Sequence, residues 1–167
     1  MNGGFISYDQ LRWLFALALT IHNLEEAVWL PKWSQQAGRW HPKVSKFQFR
    51  FALIVLTLLA YGIALGSYWG EKGSPGDYLL TGYAFVMLIN AFFPHLVATI
   101  VLRRYAPGLI TALGLNVPVM SLLLLRALEK QYVSLNASII SAVAFTLAIV
   151  AIIPFLFRIG RYIEERF

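Results

Sequence analysis

Cysteine is absent from this chain of 167 residues. Its absence excludes disulfide bonds and thiolate chemistry, so any metal site must use histidine, aspartate or glutamate as ligands. Charged residues are also few, at 13% of the chain, and no stretch rich in serine and glycine divides the sequence. Because no linker is visible, we expect residues 1–167 to form a single domain.

Apolar residues are abundant instead. They make up 59% of the chain, and the mean hydropathy is +0.65, which is more than the core of a soluble protein requires. The net charge of +6 could indicate a nucleic-acid partner, but the basic residues occur in short runs between apolar segments. This distribution is typical of membrane topology, so we expect a lipid bilayer as the partner and no nucleic acid.

Five segments are long and apolar enough to cross a hydrocarbon core about 30 Å thick. The sequence therefore predicts an all-α fold, an integral membrane bundle of five transmembrane helices, with the two termini on opposite sides. The segments are Leu11 to Leu30, Phe47 to Trp69, Tyr78 to Leu102, Pro107 to Leu125, and Ala137 to Phe157.

Lysine and arginine are unevenly divided between the two sides that this topology defines. Ten lie on one side and four on the other, and short basic loops are retained in the cytoplasm. We therefore expect the protein in the cell membrane, with the N-terminus outside and the C-terminus in the cytoplasm. The ten are Lys32, Arg39, Lys43, Lys46, Arg50, Arg103, Arg104, Arg158, Arg161 and Arg166, and the four are Arg12, Lys72, Arg126 and Lys130.

The first segment contains three ionisable residues, His22, Glu25 and Glu26. At about 100° per residue they share one helix face, and such a face is costly to expose to lipid. A histidine with carboxylates three and four residues later is also spaced for metal ligation. The alternative is a shorter helix whose acidic end is solvated near Lys32.

The third segment supplies Asn90 and His95, with Pro94 between them. Pro94 lacks an N–H and its ring clashes with the Asn90 carbonyl, so the sequence predicts a kink there. By helix rise, His22 and His95 both lie about 12 to 15 Å below the same cytoplasmic boundary. The two histidines are therefore expected at one depth, although His95 could equally be a hydrogen-bonded packing residue.

The fourth segment begins with Pro107-Gly108-Leu109-Ile110-Thr111. Proline in the first turn is typical of an ordinary helix start, and Thr111 would reach the polar layer one turn later. His41, in the first link, is expected to be a solvated loop histidine. The fifth segment offers only serine and threonine, which commonly bond to their own helix backbone, so we interpret it as structural.

These motifs resemble a known family of polytopic membrane proteins of uncertain function, named for its HxxEE motif, here His22-Asn23-Leu24-Glu25-Glu26. The family also carries an asparagine and a histidine in a later helix and a Pro-Gly-x-x-Thr/Ser segment after it. Asn90 with His95 and the segment from Pro107 to Thr111 match these in order and in helix placement. The resemblance implies a suspected enzyme and names no substrate.

Two histidines and one glutamate form the open three-ligand set of catalytic zinc, which leaves a position for water. We expect a divalent metal, with zinc favoured and iron as a second choice. Its predicted ligands are His22, Glu26 and His95. The predicted function is a metal-dependent hydrolase or transferase that acts on a lipid-like substrate at the cytoplasmic leaflet.

The remaining polar residues receive supporting roles in this hypothesis. Glu25 is the expected general base, while Asn90 or Thr111 orients the substrate or a ligand. Glu25 and Glu26 could exchange roles.

Two alternatives stay open. One is a metal-free acid–base isomerase of a sterol-like or polyprenyl lipid, resembling in outline the five-helix emopamil-binding sterol isomerases, in which one buried glutamate donates a proton and the other accepts it. The other is a small transporter or cofactor carrier that uses His22 and His95 as a proton relay or as axial ligands.

Overall fold

The computed structural model describes residues 6–38 and 41–166 of the chain. Within these ranges the protein consists of helices and turns, with no β-strand, which confirms the all-α prediction. Arg39, which enters the charge count above, lies outside the described residues. The helices are α1 (Tyr8–Ser34), α2 (Lys46–Trp69), α3 (Pro75–Leu102), α4 (Leu109–Glu129) and α5 (Leu135–Glu164).

Four of the helices, α2 to α5, are long and apolar enough to cross a membrane by length and composition. The α1 helix is long enough but falls short in hydropathy, because its middle contains His22, Asn23, Glu25 and Glu26. Four helices thus meet the requirement where the sequence predicted five. The protein is a helical membrane protein.

The buried face of α1 recurs every three or four residues. Leu11, Phe15 and Leu19 form its apolar part, and His22 and Glu26 continue the same stripe toward the C-terminal end of the helix. This face packs against α2, α3 and α4, while α5 packs on the far side against α2 and α3. His22 and Glu26 consequently point into the bundle.

A buried ion pair joins three helices at the opposite end of the bundle. Arg12 of α1 donates to Asp77 of α3 over 3.2 Å and to the Ser67 hydroxyl of α2 over 2.8 Å. Both Arg12 and Asp77 are almost completely inaccessible to solvent. Because buried charges need partners, this network fixes how the ends of α1, α2 and α3 meet.

Two irregular turns face each other inside the bundle. In α3, residues Ala91–Leu96 form a π-helical turn in which Phe93 leaves helical geometry (φ −133°, ψ 119°), so the kink predicted at Pro94 is present. In α4, residues Ala112–Asn116 form a second π-helical turn. The two turns contact one another and α4 also contacts α1, which brings the polar residues of three helices together.

Candidate metal centre

The side chains of His22, Glu26 and His95 converge from two helices. Glu26 Oε1 lies 3.1 Å from His95 Nε2 and 3.6 Å from His22 Nε2. One potential ligand atom from each residue lies within 4.8 Å of the other two. Two ligands 2.0 to 2.1 Å from a tetrahedral ion are about 3.4 Å apart, so the glutamate–histidine separations fit one shared ion.

The two imidazole rings meet edge to face, with centroids 5.2 Å apart and an interplanar angle of 85°. Both rings and the Glu26 carboxylate are buried within the bundle. The kink in α3 contributes directly to this arrangement, since His95 follows Pro94 in the irregular turn. The matched depth inferred from the sequence therefore corresponds to a real side-chain cluster.

Asn90 lies between the two rings. Its Nδ2 atom is 3.2 Å from His22 Nε2 and 3.0 Å from His95 Nε2. An amide nitrogen carries two hydrogens, so it can donate to both ring nitrogens when these are unprotonated. In that protonation state both Nε2 lone pairs face the Asn90 amide, and both Nε2 atoms lie within 3.6 Å of Glu26 Oε1.

Glu25 does not join this cluster. Its Oε1 atom accepts from the Gly108 N–H over 2.8 Å and from the Tyr105 hydroxyl, and its Oε2 atom accepts from the N–H (3.1 Å) and the hydroxyl (2.7 Å) of Thr111. These amides form the first turn of α4, where helix donors are free and the dipole favours an anion. Glu25 therefore caps a helix distant in sequence.

The hydroxyl of Tyr105 stays a donor to this carboxylate over the physiological pH range. Burial, and after it the hydrogen bond to Glu25, raises the pKa of Tyr105 to about 12. With all four donors in place, both oxygens of Glu25 are occupied. This placement disfavours Glu25 as the general base.

Thr111 connects the capped glutamate to the histidine cluster. Its hydroxyl donates to the near, negatively charged Glu25, so its oxygen accepts the hydrogen of His22 Nδ1 over 3.0 Å. This arrangement assigns the proton of His22 to Nδ1 and leaves Nε2 with its lone pair facing Glu26. Hydrogen bonds of this kind orient the histidine ligands of metal sites.

Gly108 lies directly beneath the two rings. Its φ of +95° is the left-handed conformation that glycine adopts readily, and a Cβ atom there would lie 2.6 Å from His95 Cε1 and 2.9 Å from His22 Cε1. The Pro-Gly-x-x-Thr segment is therefore more than a helix start. Glycine permits the close approach, and threonine makes the contact to His22.

The cluster faces a cavity of about 660 Å³ that is lined mainly by apolar and aromatic side chains. Glu25 and Thr111 are not among its lining residues; Glu25 lines a separate cavity of about 570 Å³ with Lys32, Arg104 and Tyr105. Of the polar residues that the sequence analysis groups together, His22, Glu26, Asn90 and His95 therefore line one cavity, whereas Glu25 does not.

Sequence reasoning missed three residues that line the larger cavity: His41, Arg158 and Arg161. His41 was expected to be solvated, but its ring packs near Trp33 and Phe157. Burial lowers the pKa of His41, so its imidazole is neutral at pH 7. No sequence signal distinguished it from an ordinary loop histidine.

The prediction that α5 is only structural also needs correction. Ser138 and Thr146 do bond to carbonyls of their own helix, as expected. The same helix, however, lines the cavity along one face, with Thr146, Ile149, Val150, Ile153, Pro154, Phe157, Arg158 and Arg161. Residues spaced three and four apart form one continuous stripe on a helix. The stripe can be recognised in the sequence only when the inward face of α5 is known.

The sequence profile described as "Protein of unknown function with HXXEE motif" matches residues 13–123 of the chain. The chain belongs to the HXXEE family. The matched region contains every residue of the cluster and ends within α4, so α5 lies outside it.

A relative in Bacillus subtilis (strain 168) supports the assignment to the HXXEE family. It is described as "Uncharacterized protein YrkK" and is 42% identical over 146 residues, which cover 87% of this chain and 92% of the relative. No solved structure matches the chain.

Proposed function

We propose that this HXXEE protein is a membrane-embedded hydrolase or transferase that uses a divalent metal ion, with zinc favoured, to act on a lipid. The observation that carries the proposal is the convergence of His22, Glu26 and His95 at the wall of a largely apolar cavity. A site with three protein ligands leaves one tetrahedral position for water, whose pKa the metal would lower toward 7.

The hydrogen bonds behind His22 support this proposal. The Thr111 hydroxyl accepts from His22 Nδ1, so that Nε2 carries the lone pair that would bind the ion, and Thr111 in turn donates to Glu25. Outer-shell partners of this kind typically contribute 10-fold to 100-fold to metal affinity. In this proposal Glu25 and Thr111 are positioning residues, and Asn90 is placed to contact a ligand or a substrate.

The proton acceptor in this proposal is His41. It lines the same cavity as the cluster, and its Nδ1 atom donates to the Pro42 carbonyl over 2.6 Å, which leaves Nε2 as an acceptor. A neutral imidazole beside the substrate cavity is suited to general-base catalysis at neutral pH. Glu25 has no carboxylate oxygen without a hydrogen bond, and it does not line this cavity.

We also infer that α1 is a fifth membrane span. Contacts to α2 near both ends support this: Arg12 reaches Ser67, and Arg50 donates to the Ala27 carbonyl. A second face of α1, with Leu17, Ile21, Leu24 and Val28, is exposed and wholly apolar. Such a face suits lipid, while the polar stripe points inward.

The test begins with the full-length protein purified in a mild detergent without chelators. Elemental analysis should find about one divalent metal ion per chain. In vesicles of bacterial lipids, the protein should then release lipid products that mass spectrometry detects, with activity lost on chelation and restored by zinc or iron. Absence of metal from the native protein would contradict the proposal.

One observation favours a second candidate, the metal-free acid–base isomerase. The Asn90 amide already lies within hydrogen-bonding distance of both histidines, so both Nε2 atoms can have a partner without an ion. In that case chelators should have no effect, and lipid isomers of unchanged mass should form.

A further inference from the structure

A pair of arginines stands at one end of the cavity that contains the candidate metal centre. Arg158 and Arg161 are both exposed and both line this cavity. Among the described residues, neither guanidinium group has a carboxylate partner. Glu164 could pair with Arg161 one turn earlier, but it accepts instead from the Ser45 hydroxyl over 2.6 Å.

The positions of these arginines are fixed by close helix packing. Gly160 lies between them in α5 and packs against the start of α2, where a Cβ atom would lie 2.9 Å from Gln48 Cα. The hydrogen bond between Ser45 and Glu164 holds the same junction. Because the backbone is held here, both arginines start from fixed positions beside the cavity.

The cavity wall below the arginines is apolar. Ile149, Val150, Ile153 and Phe157 continue the stripe of α5 away from Arg158 and Arg161. From Thr146 to Arg161 this face is about 22 Å long at 1.5 Å per residue. A wall with this pattern matches a molecule that has an apolar chain at one end and an anionic group at the other.

Membrane topology alone explains why basic residues occur at this end of the bundle. It does not explain why only some of them line the cavity. Arg103 and Arg166 also follow helix ends here, yet neither lines the cavity. Within the cavity lining the one acidic residue is Glu26, which the two histidines contact. The two arginines therefore give the far end of the cavity an uncompensated positive charge.

We propose that Arg158 and Arg161 bind the phosphate group of an amphiphile whose apolar chain lies along α5. This inference rests on the proposed function and names its substrate class, a lipid with a phosphate headgroup. Arginine suits this role because its planar donor fork pairs two hydrogen bonds with phosphate oxygens. The candidate metal centre lines the same cavity and would therefore face the bound lipid.

The test is lipid binding to the full-length protein in neutral detergent, measured by native mass spectrometry. Dioleoyl phosphatidate should bind at least 10-fold more tightly than dioleoylglycerol, which has the same chains without phosphate. R158Q/R161Q should lose at least 10-fold in phosphatidate affinity, and R158K/R161K should recover part of it. The control R103Q/R166Q removes the same charge away from the cavity and should bind as the native protein does.

Unchanged phosphatidate binding by R158Q/R161Q, with native unfolding temperature, would overturn the inference. So would displacement of phosphatidate by millimolar inorganic phosphate, because free phosphate would then be the recognised ligand. His22→Ala tests the metal hypothesis independently of lipid binding. That variant should lose metal but keep phosphatidate binding, whereas R158Q/R161Q should keep metal and lose the lipid.

Discussion

Glu26 and His95 lie 3.1 Å apart, atom to atom, although one belongs to α1 and the other follows the kink of α3. The neighbouring Glu25 contacts the start of α4 instead and caps that helix. Two consecutive glutamates therefore have different environments and different expected roles.

Substitution of the two glutamates by glutamine should separate their roles. Glu26→Gln removes a ligand and should reduce bound metal to background, as should His22→Ala and His95→Ala. Glu25→Gln leaves the three ligands in place and should retain metal with lower affinity, by about 10-fold to 100-fold. The metal content of the folded variants measures this difference. Equal metal in Glu25→Gln and Glu26→Gln would argue against Glu26 as the ligand.

Thr111→Val should weaken metal binding, while Thr111→Ser should not. Valine preserves the shape but removes the hydroxyl that accepts from His22 and donates to Glu25. The expected loss is about 10-fold to 100-fold in metal affinity. Competition with a chelating dye measures it, and equal affinities for the two variants would show that the hydroxyl does not orient His22.

Gly108→Ala should disrupt the cluster. The new Cβ atom would collide with both imidazole rings and would occupy a left-handed backbone conformation, which costs on the order of 1–3 kcal/mol. We expect lower thermal stability and loss of metal. Gly62→Ala is the matched control, since no atom lies within 4 Å of its added Cβ. Equal behaviour of the two alanine variants would contradict the geometry.

Asp77→Asn should destabilise the fold strongly, because it removes the buried one of the two carboxylates that pair with the buried Arg12. Breaking such a pair costs about 3–5 kcal/mol. Asp9→Asn also removes a partner of Arg12, but the Asp9 side chain is 58% exposed, so its effect should be small. Thermal unfolding in detergent compares the two variants, and a larger loss for Asp9→Asn would reverse this interpretation.

Single cysteines should report the predicted topology, since the chain has none of its own. Lys43 and Glu71 are exposed and lie in the links before and after α2. In oriented membrane vesicles, Lys43→Cys should react with an impermeant maleimide from the cytoplasmic side and Glu71→Cys from the outside. Labelling of both from one side would show that α2 does not cross the bilayer.

The sequence by itself determined the helical class, the segments α2 to α5 and the polar residues that must avoid lipid. Apolar length and the cost of buried charge are local properties, so they can be seen without a structure. Helical rise placed His22 and His95 at one depth, and the missing N–H of Pro94 predicted the kink beside His95.

Tertiary structure decided which neighbouring helix or cavity each of these side chains contacts. Glu25 and Glu26 both lie on the polar side of α1 in projection, and only the packing of α4 against α1 assigns the first to the amides of Gly108 and Thr111 and leaves the second to the histidines. The cavity face of α5, with Arg158 and Arg161, depends likewise on the rotation of that helix against α2 and α3. Helix rotation and long-range contacts arise from packing between distant segments, which a single sequence does not encode locally.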